Sequence, residues 1–406
     1  MTGTDGAELL TTAAAGRLLA TAVEGTGGAL TGWRLDHVDS DPGRTTTATY
    51  RVEAIRSGQL VRETVGLTVR AHGLSNGDHR AKLLQNGGHA VVCWFYPDDP
   101  DLPGLARATD PVAMAGLIRD YGIAQGVTPP DVQIELIGYR PRRRAVLRVA
   151  VRSGPAFYVK VLRASHFEAV AHRHRILAAG GLPSPRVLAT TSDSILAIAE
   201  TPGTPLARAI FTEALPVSGS EIVALLDSMP AAVVELERRP PWASSVRHYA
   251  RIVESALPDL GRRLGRLTSR ISQSLAGLPP GEEPTHGDFY EAQVFVAAGH
   301  VSGLIDIDTI GPGRRADDLA CLVGHLHCIQ RMTAAQERQA ARLVGCWLPA
   351  FDDRVDPVEL RLRAAAVVIS LATGPYRGQE LNWESETRRM IAKAEELVAA
   401  ADALSN

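Results

Sequence analysis

Two periodicities divide the chain. Alternating apolar and polar positions run from Thr46 to Ile55 and from Leu60 to Val69. The turn-forming Arg56-Ser57-Gly58-Gln59 lies between them, so the pair predicts a hairpin. His89 to Phe95 predicts another strand, and the Ala- and Leu-rich stretch Glu8 to Glu24 predicts a helix stopped at Gly25 to Gly28. Asp110 and Pro111 supply an N-cap and a first helical residue, which predicts a helix to about Tyr121. Ile134–Tyr139, Ala145–Arg152, Ala156–Leu162 and Ser194–Glu200 read as strands, and Ser165–Ala179 reads as a helix ended by Gly180-Gly181. From Leu206 onward the pattern is helical, apart from one hairpin. The closing helix Thr387–Leu404 places Met390, Ile391, Ala394, Leu397, Val398 and Ala401 on one face. The class expected is α+β. Boundaries are expected near 90 and 205, giving an N-terminal module (1–90), a sheet-rich part (91–205) and a mostly helical part (206–406). Nothing chemical converges in the first 90 residues, which read as a structural or docking module.

Composition narrows this little. A chain of 406 residues with 45% hydrophobic residues and a net charge of -2 is expected to be an ordinary soluble protein. There is no basic excess for nucleic acid and no apolar run long enough for a membrane span. The start, MTGTDGAELL, has neither the basic nor the apolar region of a secretory signal. Cys93, Cys321, Cys328 and Cys346 match no zinc spacing, so they read as buried thiols in a reducing cytoplasm.

The chemistry concentrates in HGDFYEAQVFV (286–296) and LIDIDTIGPGRRADDLA (304–320). Asp288 and Asp306 are carboxylates with an amide, Gln293, between them. Val294–Val296 and Gly303–Ile305 predict a hairpin, turning at Ala298-Gly299-His300, that folds the two back onto one site. Such groups can move a phosphoryl group. One carboxylate orients a hydroxyl and takes its proton, while the other, with the amide oxygen, holds a metal ion on nucleotide phosphates. Hard oxygen donors suit Mg²⁺. Lys160 sits in the apolar strand FYVKVL, where a lysine is costly unless it is paired or reaches a cleft. Glu168 is the only acid between Ser165 and Ala179 and therefore its candidate partner. His286 reads as a structural residue of its loop. Arg314, Arg315 and Asp317 read equally as plain surface or helix-start charges.

HGDFYEAQ resembles the HGDxxxxN loop of the aminoglycoside phosphotransferase and choline kinase superfamily. IDID and RRADDLA resemble its metal-binding and GDPxxDLA segments. The order of two strands, a helix and a strand around Lys160 resembles a kinase N-lobe. Gln293 stands where the family usually has Asn, as is typical of maltokinases and of related actinobacterial glucosamine kinases, which the string DIDTIGPGRRADDLA resembles most. The resemblance implies a protein-kinase-like two-lobed fold with an N-terminal cap module. It implies ATP with Mg²⁺, Asp288 as the group facing the acceptor, Gln293 and Asp306 as metal ligands, and Lys160 on the nucleotide phosphates. Asp318 would bond the catalytic loop. Adenine would meet main chain near Ala199 and Glu200, and the Tyr139–Arg144 turn, YRPRRR, either covers phosphates or is a solvated basic turn. The acceptor implied is D-glucosamine, phosphorylated at its 6-hydroxyl. Glu291, Asp308, Glu380 and Trp383 are candidate contacts: acids for the amine, an aromatic face for the sugar. Asp308 reads equally as a second metal ligand and Trp383 as a rim residue packed on the closing helix. Maltokinase, antibiotic phosphotransferase and nucleotide-binding pseudokinase stay open. No nucleic-acid, membrane or protein partner is implied.

Overall fold

The computed structural model describes residues 6–74, 78–86, 88–212, 215–329 and 332–405. The first five residues of MTGTDGAELL lie outside these. The chain divides into two compact units, Met1–Ala171 with Val187–Glu200 and Arg377–Glu380, and His172–Arg186 with Thr201–Tyr376 and Leu381–Asn406.

The first unit holds two sheets. Strands β1 (Gly28–Asp41), β2 (Thr45–Arg56), β3 (Gln59–Arg70), β4 (Lys82–Asn86) and β5 (His89–Phe95) form an antiparallel sheet in the order β1-β2-β3-β5-β4. Helices α1 (Ala7–Thr11) and α2 (Ala15–Glu24) accompany it, and α2 buries Leu18, Leu19, Ala22 and Val23. The predicted single helix is thus broken at Thr12, whose backbone is extended. The β2–β3 turn is as read: Arg56 pairs with Gln59, while Ser57 and Gly58 take φ of 49° and 79°, the primed turn that matches strand twist. Gly66 faces Trp94 across the β3–β5 pair, and a Cβ on Gly66 would lie 2.2 Å from the indole. β1 and β4 were not predicted. β1 is a long strand of half-exposed residues with almost no buried side chain, so no apolar alternation announces it.

The second sheet is β6 (Val132–Arg140), β7 (Arg144–Val151), β8 (Ala156–Leu162), β9 (Val187–Thr190) and β10 (Ile195–Ala199), in the order β6-β7-β8-β10-β9. The short α3 (Leu105–Thr109) precedes α4 (Pro111–Asp120). Asp110 caps α4 as expected, accepting from the N–H groups of Val112 (3.1 Å) and Ala113 (3.2 Å). α5 (Ala164–Ala179) follows β8.

The two sheets meet through polar groups. Trp94 donates to the Tyr139 hydroxyl at 3.0 Å, and Tyr139 donates to Asp99 at 2.7 Å. Asp99 also accepts the Arg142 N–H at 2.7 Å. The Arg142 guanidinium bonds Asp101 and Asp78 and lies over the Trp94 ring. Arg142 is only 2% exposed and sits at φ 61°. This corrects both readings of the YRPRRR turn at its centre: the Arg142 amide and side chain are committed inside the unit, neither solvated nor free to cover phosphates.

The second unit is built on helices α6 (Leu206–Thr212), α7 (Gly219–Asp227), α8 (Val246–Ala256), α9 (Gly261–Leu275), α10 (Arg315–Cys328), α11 (Ala334–Arg354), α12 (Pro357–Leu371), α13 (Gly374–Arg377) and α14 (Trp383–Ser405). One continuous core joins them, and the predicted face of the closing helix lies in it. β11 (Thr204–Pro205), β13 (Val294–Ala297) and β14 (His300–Leu304) form a small sheet. β12 (Glu283–Thr285) pairs with β15 (Gly311–Gly313). Among the described residues no helix is long and apolar enough to cross a membrane.

Candidate active site

The β12–β15 pair is a clasp. Thr285 lies opposite Gly311, so the chain that leaves at His286 returns at Ile310. The segment between them carries every residue of the HGD…IDID reading. Its first turn needs a glycine: Gly287 has φ 80°, and a Cβ there would lie 2.7 Å from the Thr309 carbonyl oxygen.

The loop is pinned by main-chain bonds. His286 N–H and Gly287 N–H each donate to the Asp318 carboxylate at 2.8 Å. The His286 ring nitrogen Nε2 lies 3.0 Å from the Ile305 carbonyl, and Thr309 donates to the His286 carbonyl at 2.8 Å. His286 is fully buried and Asp318 nearly so. Burial pushes the Asp318 carboxyl up, and Arg315 and the loop amides pull it back toward the ionised form.

Arg315, 2% exposed, is central to the anchor. It bonds Asp318 at 3.3 Å, Asp227 at 3.1 Å and the Leu226 carbonyl at 2.9 Å, and its own N–H donates to Glu283 at 2.9 Å. Arg354 joins Asp227 and Glu283, Arg314 bonds Glu359, and Arg363 bonds Glu359 and Asp317. Arg314, Arg315 and Asp317 do stand at a helix start, but they are paired and not plain solvent-facing charges. They are an ion network fixing the first turn of α10 to α7, α11, α12 and β12.

The hairpin brings Gln293 and Asp306 together. Ile305 N–H donates to the Gln293 carbonyl at 2.8 Å, and the Gln293 amide lies 3.4 Å from the Asp306 carboxylate. Asp306, two residues beyond the end of β14, takes the left-handed φ of 53°. Gln293 is buried and Asp306 half-buried. Asp308 follows in a single 3-10 turn and is buried, with Arg173 close by electrostatically; Arg173 itself donates to the Ile310 carbonyl.

Asp288 faces α10. The Cys321 thiol donates to its carboxylate at 3.9 Å, and the Tyr290 ring stacks on His325 with centroids 4.0 Å apart. Burial lowers the His325 imidazole to about 4, so it is neutral near pH 7. Glu291 is buried, and its Oε2 has no hydrogen-bond partner. Burial raises its carboxyl to about 7. Burial raises the Cys321 thiol, and the Asp288, Asp318 and Glu291 carboxylates raise it further. The sequence reading missed Cys321 and His325; their four-residue spacing on a helix was the available signal.

The remaining candidates are carried by other elements. Lys160 is 5% exposed at the middle of its sheet, in register with Val146 and Leu196, so it is not an edge lysine pointing to solvent. Glu168 is exposed on α5. Ala199 ends β10, and the Glu200 side chain is held by Arg148 at 3.2 Å. Trp383 opens α14 and meets Tyr376 edge to face at 5.1 Å, beside Ile252, Val253 and Thr387. Its partly buried ring packs against the helical core, as the rim reading has it. Glu380 belongs to the first compact unit, and Glu291 and Asp308 belong to the second. Cys346 is exposed, against the expectation that all four thiols are buried.

A clasped loop carrying a carboxylate, with an amide–carboxylate pair on its return, is an arrangement that group-transfer chemistry can use. Residues 136–354, more than half of the chain, match the profile of the "Phosphotransferase enzyme family", and the chain belongs to that family. It is a nucleotide-dependent, small-molecule phosphotransferase acting on a hydroxyl acceptor, with the mixed helix-and-sheet fold of the family. Similar solved structures include a thermostable mutant of aminoglycoside phosphotransferase APH(4)-Ia in apo form (15% identity over 70% of this chain and 97% of that one, TM-score 0.48). They also include choline kinase from Cryptosporidium parvum Iowa II (9%, 72% and 96%, 0.48) and macrolide 2'-phosphotransferase MphH from Brachybacterium faecium (19%, 69% and 97%, 0.42). No curated protein sequence is significantly similar to the chain.

Proposed function

We propose that this phosphotransferase is a cytoplasmic kinase that transfers the terminal phosphoryl group of ATP to the 6-hydroxyl of D-glucosamine. The observation that carries the reading is Glu291, a buried carboxylate three residues after Asp288 with one oxygen unpartnered. Leaving such an oxygen unsatisfied is costly, and a protonated amine on the acceptor would satisfy it with a charge-assisted hydrogen bond. Asp308 is the second buried acid on the same segment. A neutral disaccharide offers Glu291 no such cation.

Asp288 receives the acceptor hydroxyl, aligns it and takes its proton as transfer proceeds. Phosphoryl transfer has a loose transition state, so alignment contributes more than basicity. Lys160, a buried cation at the centre of its strand, is assigned to the nucleotide phosphates, with Glu168 as its acid and the main chain near Ala199 and Glu200 for the adenine. Gln293 and Asp306 suit Mg²⁺: both offer hard oxygen, and rotating the Gln293 amide exchanges the N–H that meets Asp306 for its carbonyl oxygen. When bound, Mg²⁺ neutralises charge on the nucleotide phosphates. His286 and Asp318 act on the loop backbone, not on substrate.

The test is ADP release from Mg-ATP with glucosamine, N-acetylglucosamine, glucose, maltose and kanamycin, using Asp288→Asn as the blank. Turnover with glucosamine and little with N-acetylglucosamine or glucose is expected. Turnover with maltose or kanamycin in place of glucosamine would overturn the acceptor while leaving the phosphotransferase intact.

A further inference from the structure

Asp288, Cys321 and His325 each offer one atom of a kind that binds metals, and these three atoms lie within 4.8 Å of one another. The arrangement has a simple origin. Cys321 and His325 are four residues apart on α10, so they rise from one face of the helix a turn apart. The third atom comes from the clasped loop, whose position Asp318 and Arg315 fix from the same helix. The donors are therefore held before any ion arrives. Stacking on Tyr290 restrains the His325 ring, and Cys321 already points its sulfur at the Asp288 carboxylate.

The donor set differs from that of the Gln293–Asp306 pair. Oxygen-only sites suit Mg²⁺, which makes little use of sulfur or imidazole. One thiolate, one neutral imidazole and one carboxylate make a three-ligand set typical of Zn²⁺, leaving a fourth tetrahedral position for water. Nothing in the proposed transfer needs the thiol or the imidazole, so the kinase reading does not account for the cluster.

We infer that Asp288, Cys321 and His325 form a binding site for Zn²⁺ or a similar thiophilic divalent cation, and that its occupation inhibits phosphoryl transfer by engaging the Asp288 carboxylate. Binding replaces the S–H bond of Cys321 with a sulfur–metal bond and releases that proton to solvent; no electron is transferred. The site as such stands on geometry alone, whereas inhibition rests on the reading of Asp288 as the group that receives the acceptor hydroxyl.

The experiment uses the full chain and Co²⁺ as a spectroscopic stand-in for Zn²⁺. Without nucleotide, Co²⁺ should give a saturable thiolate-to-cobalt charge-transfer band that Zn²⁺ displaces. Cys321→Ser should remove the band although Cys93, Cys328 and Cys346 remain. His325→Gln should weaken binding by about tenfold or more, and it keeps the test alive should the buried serine not fold. In the kinase assay with excess Mg²⁺, Zn²⁺ should inhibit the native chain, and either variant should raise the half-inhibitory concentration by about tenfold or more. No band in the native chain, or a band that survives Cys321→Ser, overturns the site. A band without inhibition overturns the inhibitory role. If Asp288→Asn turns over normally while the native band is present, the reading of Asp288 fails and the site stands.

Discussion

Arg142 and Arg315 make an instructive pair. Each is 2% exposed, each looks like a surface charge in sequence, and each is paired with more than one acid. Arg142 joins two sheets of the first unit through Asp78, Asp99, Asp101 and Trp94, groups to which no chemistry is assigned. Arg315 pairs with Asp318, whose carboxylate holds the backbone of His286 and Gly287, one residue from Asp288. The same chemistry therefore serves shape in one unit and, in the other, the setting of the loop that carries Asp288, the proposed acceptor-facing group. A buried ion pair says little about function until its neighbours are followed one bond further.

The comparison can be broken experimentally. The largest effect is expected at the loop itself. Asp288→Asn should lower kcat by about 10³-fold with the thermal midpoint nearly unchanged; a variant with native kcat would remove Asp288 from the reaction. Next come the arginines. Arg142→Met and Arg315→Met each strand buried carboxylates and should cost about 3–5 kcal/mol in chemical denaturation. At temperatures where both variants remain folded, only Arg315→Met should lower kcat/KM. Equal losses of kcat/KM would erase the distinction between them.

A smaller effect is expected with pH. Burial lowers His325 and His327 on α10 to about 4. Below the unfolded value of about 6.5, the unfolded chain binds protons that the folded chain refuses. Stability should therefore fall as pH drops from about 6.5 toward 4, by up to about 3 kcal/mol per imidazole. His327→Gln should flatten that slope. Glu291 has the opposite sign: burial raises it to about 7, so its contribution is lost as pH climbs from its ordinary value of 4.5 toward 7. The smallest effect should come from Glu291→Gln, which should raise the KM for glucosamine about tenfold, the loss of one charge-assisted hydrogen bond. An unchanged KM would sink Glu291 as the amine contact.

Much of the framework was legible because it depends on local pattern. The closing helix, the Asp110 cap, the β2–β3 and β13–β14 turns and the strand carrying Lys160 follow from periodicity and turn chemistry. What was not legible depends on distant partners. Arg142 meets acids 41 and 64 residues away, and Arg315 meets Asp227 across 88 residues. No window of sequence distinguishes such arginines from exposed ones. β1 escaped because a half-exposed strand carries almost no apolar alternation. Cys321 and His325 escaped because the third member of their cluster, Asp288, comes from a different element. Trp383 stayed ambiguous because an aromatic in a polar stretch looks the same whether it packs on helices or faces a ligand.

The β12–β15 clasp also has an engineering consequence. Because Thr285–Gly311 pairing closes the segment at its base, its far end at Ala298-Gly299, exposed and in a turn of positive φ, is insulated from the loop's anchor. Length changes at such a tip are cheap, since each doubling of a flexible loop costs only about 0.6 kcal/mol. A short epitope or a fluorophore-bearing peptide spliced between those two residues should leave the reactive stretch in place and serve as a handle for immobilising the protein on a surface.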